Sequence, residues 1–150
     1  MSKRFTVLLA AASIAALTLR ADEEAVGGYT WTYGVSGNAA EITAVSPTPT
    51  NDVAIPSALG GLPVTGIGTR ALYGSRGLTG LVIPNSVANI GEKAFYGCRE
   101  LEELTVGDGV TNIGTSAFTG CRNLKYVTIP QTGYAVDSTD HNILMPSSYY

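Results

Sequence analysis

From Val64 onward the chain repeats itself every 23 residues, three times without a gap: VTGIGTRALYGSRGLTGLVIPNS, VANIGEKAFYGCRELEELTVGDG and VTNIGTSAFTGCRNLKYVTIPQT. The agreeing columns are Val64, Val87, Val110; Ile67, Ile90, Ile113; Gly68, Gly91, Gly114; Ala71, Ala94, Ala117; Leu72, Phe95, Phe118; Gly74, Gly97, Gly120; and Leu78, Leu101, Leu124. A unit this short cannot enclose its own apolar side chains, so the copies must stack, each column resting on its counterpart in the next unit. The repeat therefore restricts the chain to a solenoid. A half copy lies upstream, where Ile55 and Pro56 match Ile83 and Pro84.

Within each unit the side of the coil can be read from the pattern. Leu81 to Ile83, Leu104 to Val106 and Val127 to Ile129 alternate as short strands, and stacked copies of one strand make a parallel sheet. Val64 to Ile67 supplies a second extended piece. Arg70 to Tyr73 and its copies place alanine and an aromatic residue before a glycine, which predicts a single helical turn closed by a glycine cap. The expected fold class is an α/β repeat solenoid, strand-rich, with short parallel strands, single helical turns and an N-terminal β-hairpin cap.

These columns resemble the BspA-like type of bacterial leucine-rich repeat. The pattern V-x-x-I-G-x-x-A-F-x-G-C-x-x-L-x-x-[VI]-x-[IV]-P is met nearly letter for letter by Val110 to Pro130. The first copy departs at Leu72 and Ser75, the second at Gly107. The resemblance implies a right-handed solenoid, displayed or secreted by bacteria and often binding host or surface partners.

The flanks divide the rest of the chain. Lys3 and Arg4 precede an apolar run from Phe5 to Leu19, and Ala21 stands before Asp22, Glu23 and Glu24, which is the order of a secretory signal peptide over 1–21. The run is short of the roughly 18 to 20 residues that span a bilayer, so no membrane span is expected after cleavage. Removing it leaves six Lys and Arg against twelve Asp and Glu, an acidic exported protein. That balance, with a pI near 5.0, opposes nucleic-acid binding, which needs clustered cations. Residues 22–63 read as a linker, a capping hairpin and the half repeat. In the hairpin Tyr29, Trp31 and Tyr33 alternate, Ser36 to Asn38 turn, and Glu41 to Val45 return. Residues 64–132 are the three repeats, and 133–150 a tail or degenerate cap, in which Gly133 and Val136 keep repeat columns but Asp140 and His141 break them.

Chemical motifs dissolve on comparison with the repeat. Gly66, Gly68 and Ala71 satisfy the G-x-G-x-x-A of a dinucleotide turn, but the same columns hold Asn89, Gly91, Ala94 and Asn112, Gly114, Ala117, so the feature is a corner of the coil. Cys98 and Cys121 share a column in adjacent coils, about 5 Å apart at the backbone; parallel side chains keep their Cβ atoms too far apart for an easy bridge, and a stacked pair of buried thiols is the preferred reading over a disulfide. Two cysteines and a distant His141 do not make a zinc site. His141 with Asp137 and Asp140, and the run Glu100, Glu102, Glu103, read as polar surface. No catalytic, metal or cofactor site is therefore expected.

Two ladders remain. The outward side of the strands changes from coil to coil, and Thr79, Val82, Glu103, Thr105, Lys125, Tyr126 and Thr128 form a candidate partner-binding face with Tyr126 as its aromatic anchor. Arg76, Arg99 and Arg122 fall in one column, a candidate anion ladder, with ion pairing to Glu100 or Glu102 as the competing and favoured role. The chain thus reads as a non-catalytic, adhesin-like binding module for an extracellular protein or surface polysaccharide. The competing reading is a short or truncated structural repeat protein with no partner of its own, and an enzyme is the least supported.

Overall fold

A computed structural model of the chain describes residues 21–129, together with the backbone of two short paired strands at Tyr134–Ala135 and Met145–Pro146. Residues 1–20, nearly all of the expected signal segment 1–21, and the tail residues Asp137, Asp140 and His141 lie outside the described residues. Eleven strands carry the described body: β1 (Ala21–Val26), β2 (Tyr29–Ser36), β3 (Ala39–Ser46), β4 (Thr50–Ala54), β5 (Ala58–Leu59), β6 (Leu62–Ile67), β7 (Gly77–Ile83), β8 (Asn89–Ile90), β9 (Glu103–Val106), β10 (Asn112–Ile113) and β11 (Tyr126–Thr128).

They form two sheets, one on each of two sides of the coil. The first runs β1-β2-β3-β6-β8-β10, with β5 paired to β6, and the second runs β11-β9-β7-β4. All four strands of the second sheet are parallel, as stacking of sequential copies demands. Ile67, Ile90 and Ile113 are in register, and so are Leu81, Leu104 and Val127. The 23-residue period is thus converted into hydrogen-bonded columns.

The third side departs from the sequence expectation. Among the described residues there is no helix, and the segment Arg70 to Tyr73 is a run of turns. Its N–H groups alternate in direction. Those of Ala71, Tyr73 and Ser75 bond back to Gly68, Arg70 and Leu72, whereas those of Arg70, Leu72 and Gly74 bond to Glu92, Ala94 and Tyr96 of the next coil. An α-helix sends every N–H back along its own chain and would leave this side without inter-coil bonds. The alternation is set by positive φ at both ends of the turn, 59° at Arg70 and 70° at Gly74, repeated at Lys93 with Gly97 and at Ser116 with Gly120. The glycine cap is present; the helical turn is not.

The stacking also explains the other glycine column. Gly91 donates to the Ile67 carbonyl at 2.7 Å, and a Cβ at Gly91 would lie 2.6 Å from the Gly68 carbonyl carbon. At Gly114 it would lie 2.5 Å from the Glu92 nitrogen. The coils approach backbone to backbone here, and no side chain fits. Gly66 belongs to β6, paired with Glu41 and Asn89, and Glu41 lies over both Gly66 and Gly68, so the G-x-G segment is part of a sheet edge.

The solenoid starts earlier than the visible repeat. β3 pairs in parallel with β6, placing Ile42 in the Ile67 column, and β4 pairs in parallel with β7, placing Val53 opposite Leu81. Ala39 to Pro56 is therefore a full extra coil with its turn side shortened, where the sequence showed half of one. The hairpin β2–β3 continues the first sheet. Trp31 and Tyr33 of β2 are buried at the open end, and the Tyr29 hydroxyl reaches across to donate to the Thr50 carbonyl at 2.9 Å. The acidic linker is a strand, too: β1 pairs antiparallel with β2, its Val26 carbonyl accepts from the Trp31 indole at 3.1 Å, and Glu24 accepts from the Gly60 N–H at 2.6 Å.

Candidate interaction faces

The interior is one apolar column set, from Ile42 and Val53 at the cap to Phe118 and Cys121 in the last described coil. What remains for function is the outside of the coil. Strand alternation in β9 buries Leu104 and Val106 and exposes Glu103 and Thr105. The same phase in the neighbouring strands turns Val82, Tyr126 and Thr128 outward, with Val82 47% and Tyr126 66% exposed.

Register sorts the predicted residues into columns. Val82, Thr105 and Thr128 lie side by side, and Gly80, Glu103 and Tyr126 form the adjacent column. Both continue onto β4, which the sequence reading left out: Ala54 extends the first and Asp52 the second. Asp52 lies over Gly80 and accepts from the Thr79 hydroxyl at 2.7 Å, which leaves Thr79 half-buried. Lys125 is held by Glu102 of the preceding coil at 3.0 Å. The freest groups on this face are thus Val82, Glu103, Thr105, Tyr126 and Thr128.

The arginine column is exposed at Arg76, Arg99 and Arg122. The favoured pairing with Glu100 or Glu102 is not what these carboxylates do. Glu102 pairs with Lys125, and Glu100 accepts from the Asn123 amide at 3.1 Å.

The alternating turn creates a feature that sequence reading missed. With Leu72 and Phe95 turned inward, their neighbours Tyr73 and Tyr96 point out and stack, ring centroids 5.2 Å apart and planes 5° from parallel. The Arg70 guanidinium lies 5.7 Å from the Tyr73 ring centre, a cation–π contact. Beside it the hydrogen bond from Lys93 at 2.8 Å, then the Lys93 and Arg70 charges, hold the Glu92 carboxyl below its ordinary range. The signal was present in the sequence, since Tyr73 and Tyr96 share a column one place from an inward one.

Cys98 and Cys121 are free and buried, and their thiols donate to the Leu72 and Phe95 carbonyls of the preceding coil at 3.5 and 3.4 Å. The hydrogen bond with Cys98, then burial, push the Cys121 thiol far up, so it is no thiolate at neutral pH. Among the described residues no three His, Cys, Asp or Glu side chains gather as a metal site, and no helix is long and apolar enough to cross a membrane.

Parallel strands at a 23-residue period, an interior of stacked leucine and isoleucine columns and a variable outer face define a strand-rich leucine-rich-repeat solenoid. The family model described as a BspA type leucine rich repeat region (6 copies) matches residues 61–142, more than half of the chain, and the chain belongs to that family. No curated protein matches it. Among solved structures it is similar to a leucine rich repeat protein of T. pallidum, with 33% identity and a TM-score of 0.64 over 67% of this chain and 48% of that one. It is also similar to a leucine-rich repeat protein of Bacteroides capillosus, with 30% identity and a TM-score of 0.62 over 73% of this chain and 83% of that one. A leucine rich cell surface protein of Faecalibacterium prausnitzii shares 30% identity with a TM-score of 0.58, over 70% of this chain and 30% of that one. The chain thus spans about half of the T. pallidum protein and under a third of the F. prausnitzii one.

Proposed function

We propose that the chain is an exported, non-catalytic binding module, adhesin-like in action, that presents the outer face of its second sheet to an extracellular protein. The observation that carries this reading is a contrast between columns. Inside, Leu81, Leu104 and Val127 agree from coil to coil; outside, the adjacent column reads Asp52, Gly80, Glu103 and Tyr126. Packing explains the agreement, and selection for a partner explains an exposed aromatic side chain where packing asks for none. The cell surface description of the F. prausnitzii protein, and the leader-like order of residues 1–21, support a location outside the cytoplasm.

The test is a screen of the purified chain against immobilised extracellular-matrix proteins. The reading requires saturable binding that falls at least about tenfold on Tyr126→Ala, the loss of one hot-spot aromatic. Binding that ignores Tyr126→Ala and a Val82→Glu substitution would remove the strand face from the account.

A further inference from the structure

The cations of this chain fall mostly at the two ends of the turn side of the coil. Beyond residue 20 there are six Lys and Arg, and five of them occupy two columns: Arg70 with Lys93, and Arg76 with Arg99 and Arg122. Tyr73 and Tyr96 stand between these columns in sequence. We propose that this turn side binds an acidic polysaccharide, an extended glycan whose carboxylate or sulfate groups repeat along the chain.

Three observations carry the inference. First, among the described residues the arginine column has no ion-pair partner. Its members are exposed, and the carboxylates of Glu92, Glu100 and Glu102 have Lys93, Asn123 and Lys125 as their hydrogen-bonding partners. Arginines whose backbones recur at the coil spacing, roughly 4.7 to 4.9 Å as between neighbouring strands, repel one another less once an anion lies along them. Each presents a planar fork of donors that fits a carboxylate or sulfate.

Second, the tyrosines add the other half of a glycan site. Tyr73 is 51% exposed and lies parallel to Tyr96. Their ring edges offer apolar contact to sugar C–H groups, and their hydroxyls offer hydrogen bonds to sugar oxygens. Third, the turn backbone that carries Tyr73 and Tyr96 is held before a ligand binds, because every second N–H is bonded to the next coil, so little backbone ordering is left to induce there.

Regularity favours a polysaccharide over an acidic protein. The same donor column recurs on each of the three 23-residue repeats, and a polymer with one anion per repeat can engage several rows at once, whereas a folded protein offers no such period. This side of the coil is separate from the strand face, so the inference stands or falls independently of the protein-binding reading.

Affinity electrophoresis of the purified chain through gels containing dextran sulfate, polygalacturonate, poly-L-glutamate or neutral dextran tests it. The expected result is retardation by at least one of the two acidic polysaccharides, weaker with added salt and absent in neutral dextran. Sulfate and carboxylate recognition are separated by which gel retards. The double variant R99Q/R122Q should lose about tenfold in affinity or more, matching two charge-assisted contacts, and Y73S/Y96S should weaken binding while keeping its salt dependence. Tyr126→Ala should change nothing, and thermal denaturation should show the exposed glutamine variants folded. No retardation at low salt, full retardation of R99Q/R122Q, or equal retardation by poly-L-glutamate would each overturn the proposal.

Discussion

Phe95 lies flat on Phe118, the ring centroids 5.1 Å apart and the planes 11° from parallel, although 23 residues separate them in the chain. One column outward, Tyr73 lies on Tyr96 in the same manner. The same translation that builds the core therefore builds a surface array, and a coil's inner and outer columns differ only in which way the turn points them. Each of the following predictions separates the two kinds of column or tests a contact between coils.

The glycine corner should reject the smallest side chain. At Gly91 an added methyl would press on the Gly68 and Thr69 backbone, which has no rotamer with which to yield. Gly91→Ala should destabilise by roughly 1 to 3 kcal/mol, the cost of overpacking, measurable by chemical denaturation. An unchanged midpoint would mean that the coils are not in the close approach described.

Restoring the family pattern at Gly107 should harm the protein. The other copies hold Pro84 and Pro130 at this column, but a Cβ at Gly107 would come within 2.5 Å of the Pro84 carbonyl carbon. Gly107→Pro should lower the melting temperature, by roughly 2 to 8 °C per kcal/mol lost. A rise in melting temperature, as a consensus substitution ordinarily gives, would contradict the packing at this point.

Much of this packing was legible in the repeat, and the failures are instructive. The inward columns followed from periodicity because burial acts on every copy alike. The helical turn was misjudged because Ala71, Leu72 and their copies have good helix propensity, while the bonds that override it run to another coil and leave no local trace. The extra coil at Ala39 to Pro56 was half hidden because its shortened turn breaks the period, and bulges between Ala40 and Glu41 and between Asn51 and Asp52 shift its register. β1 was read as a linker because Asp22, Glu23 and Glu24 have poor strand propensity; pairing with β2 supplies what propensity does not. On the surface, the arginine column was found by periodicity, but the pairing of Glu102 with Lys125 and of Glu100 with Asn123 was not, because side-chain pairing depends on rotamers that no pattern records.

The thiols should behave as interior groups. Cys98 and Cys121 should react slowly with a thiol reagent in the folded chain and quickly after denaturation, since both are buried and Cys121 is held protonated. Cys98→Ser should cost roughly 1 to 3 kcal/mol through burial of a hydroxyl. A non-reduced intact mass short of two hydrogens would reveal a bridge instead.

The cap should fail first in alkali. Burial, then the charges of Asp22 and Glu24, raise the Tyr33 phenol above its ordinary value of 10.0. The folded state therefore keeps a proton that the unfolded chain gives up, and stability falls as pH rises from about 10 toward the folded value. Tyr33→Phe should flatten that alkaline loss. An unchanged alkaline slope in the variant would place the titration elsewhere.

The central claim, that inner columns hold the fold and outer columns are free for binding, is tested most directly by thermal denaturation of Phe95→Ala beside Tyr126→Ala. Phe95 is fully buried between coils and Tyr126 is 66% exposed. The account predicts a loss of roughly 3 to 5 kcal/mol for the first and no more than about 0.5 kcal/mol for the second. Equal losses, or a larger one for Tyr126→Ala, would contradict the assignment of inside and outside, and with it the proposed strand face.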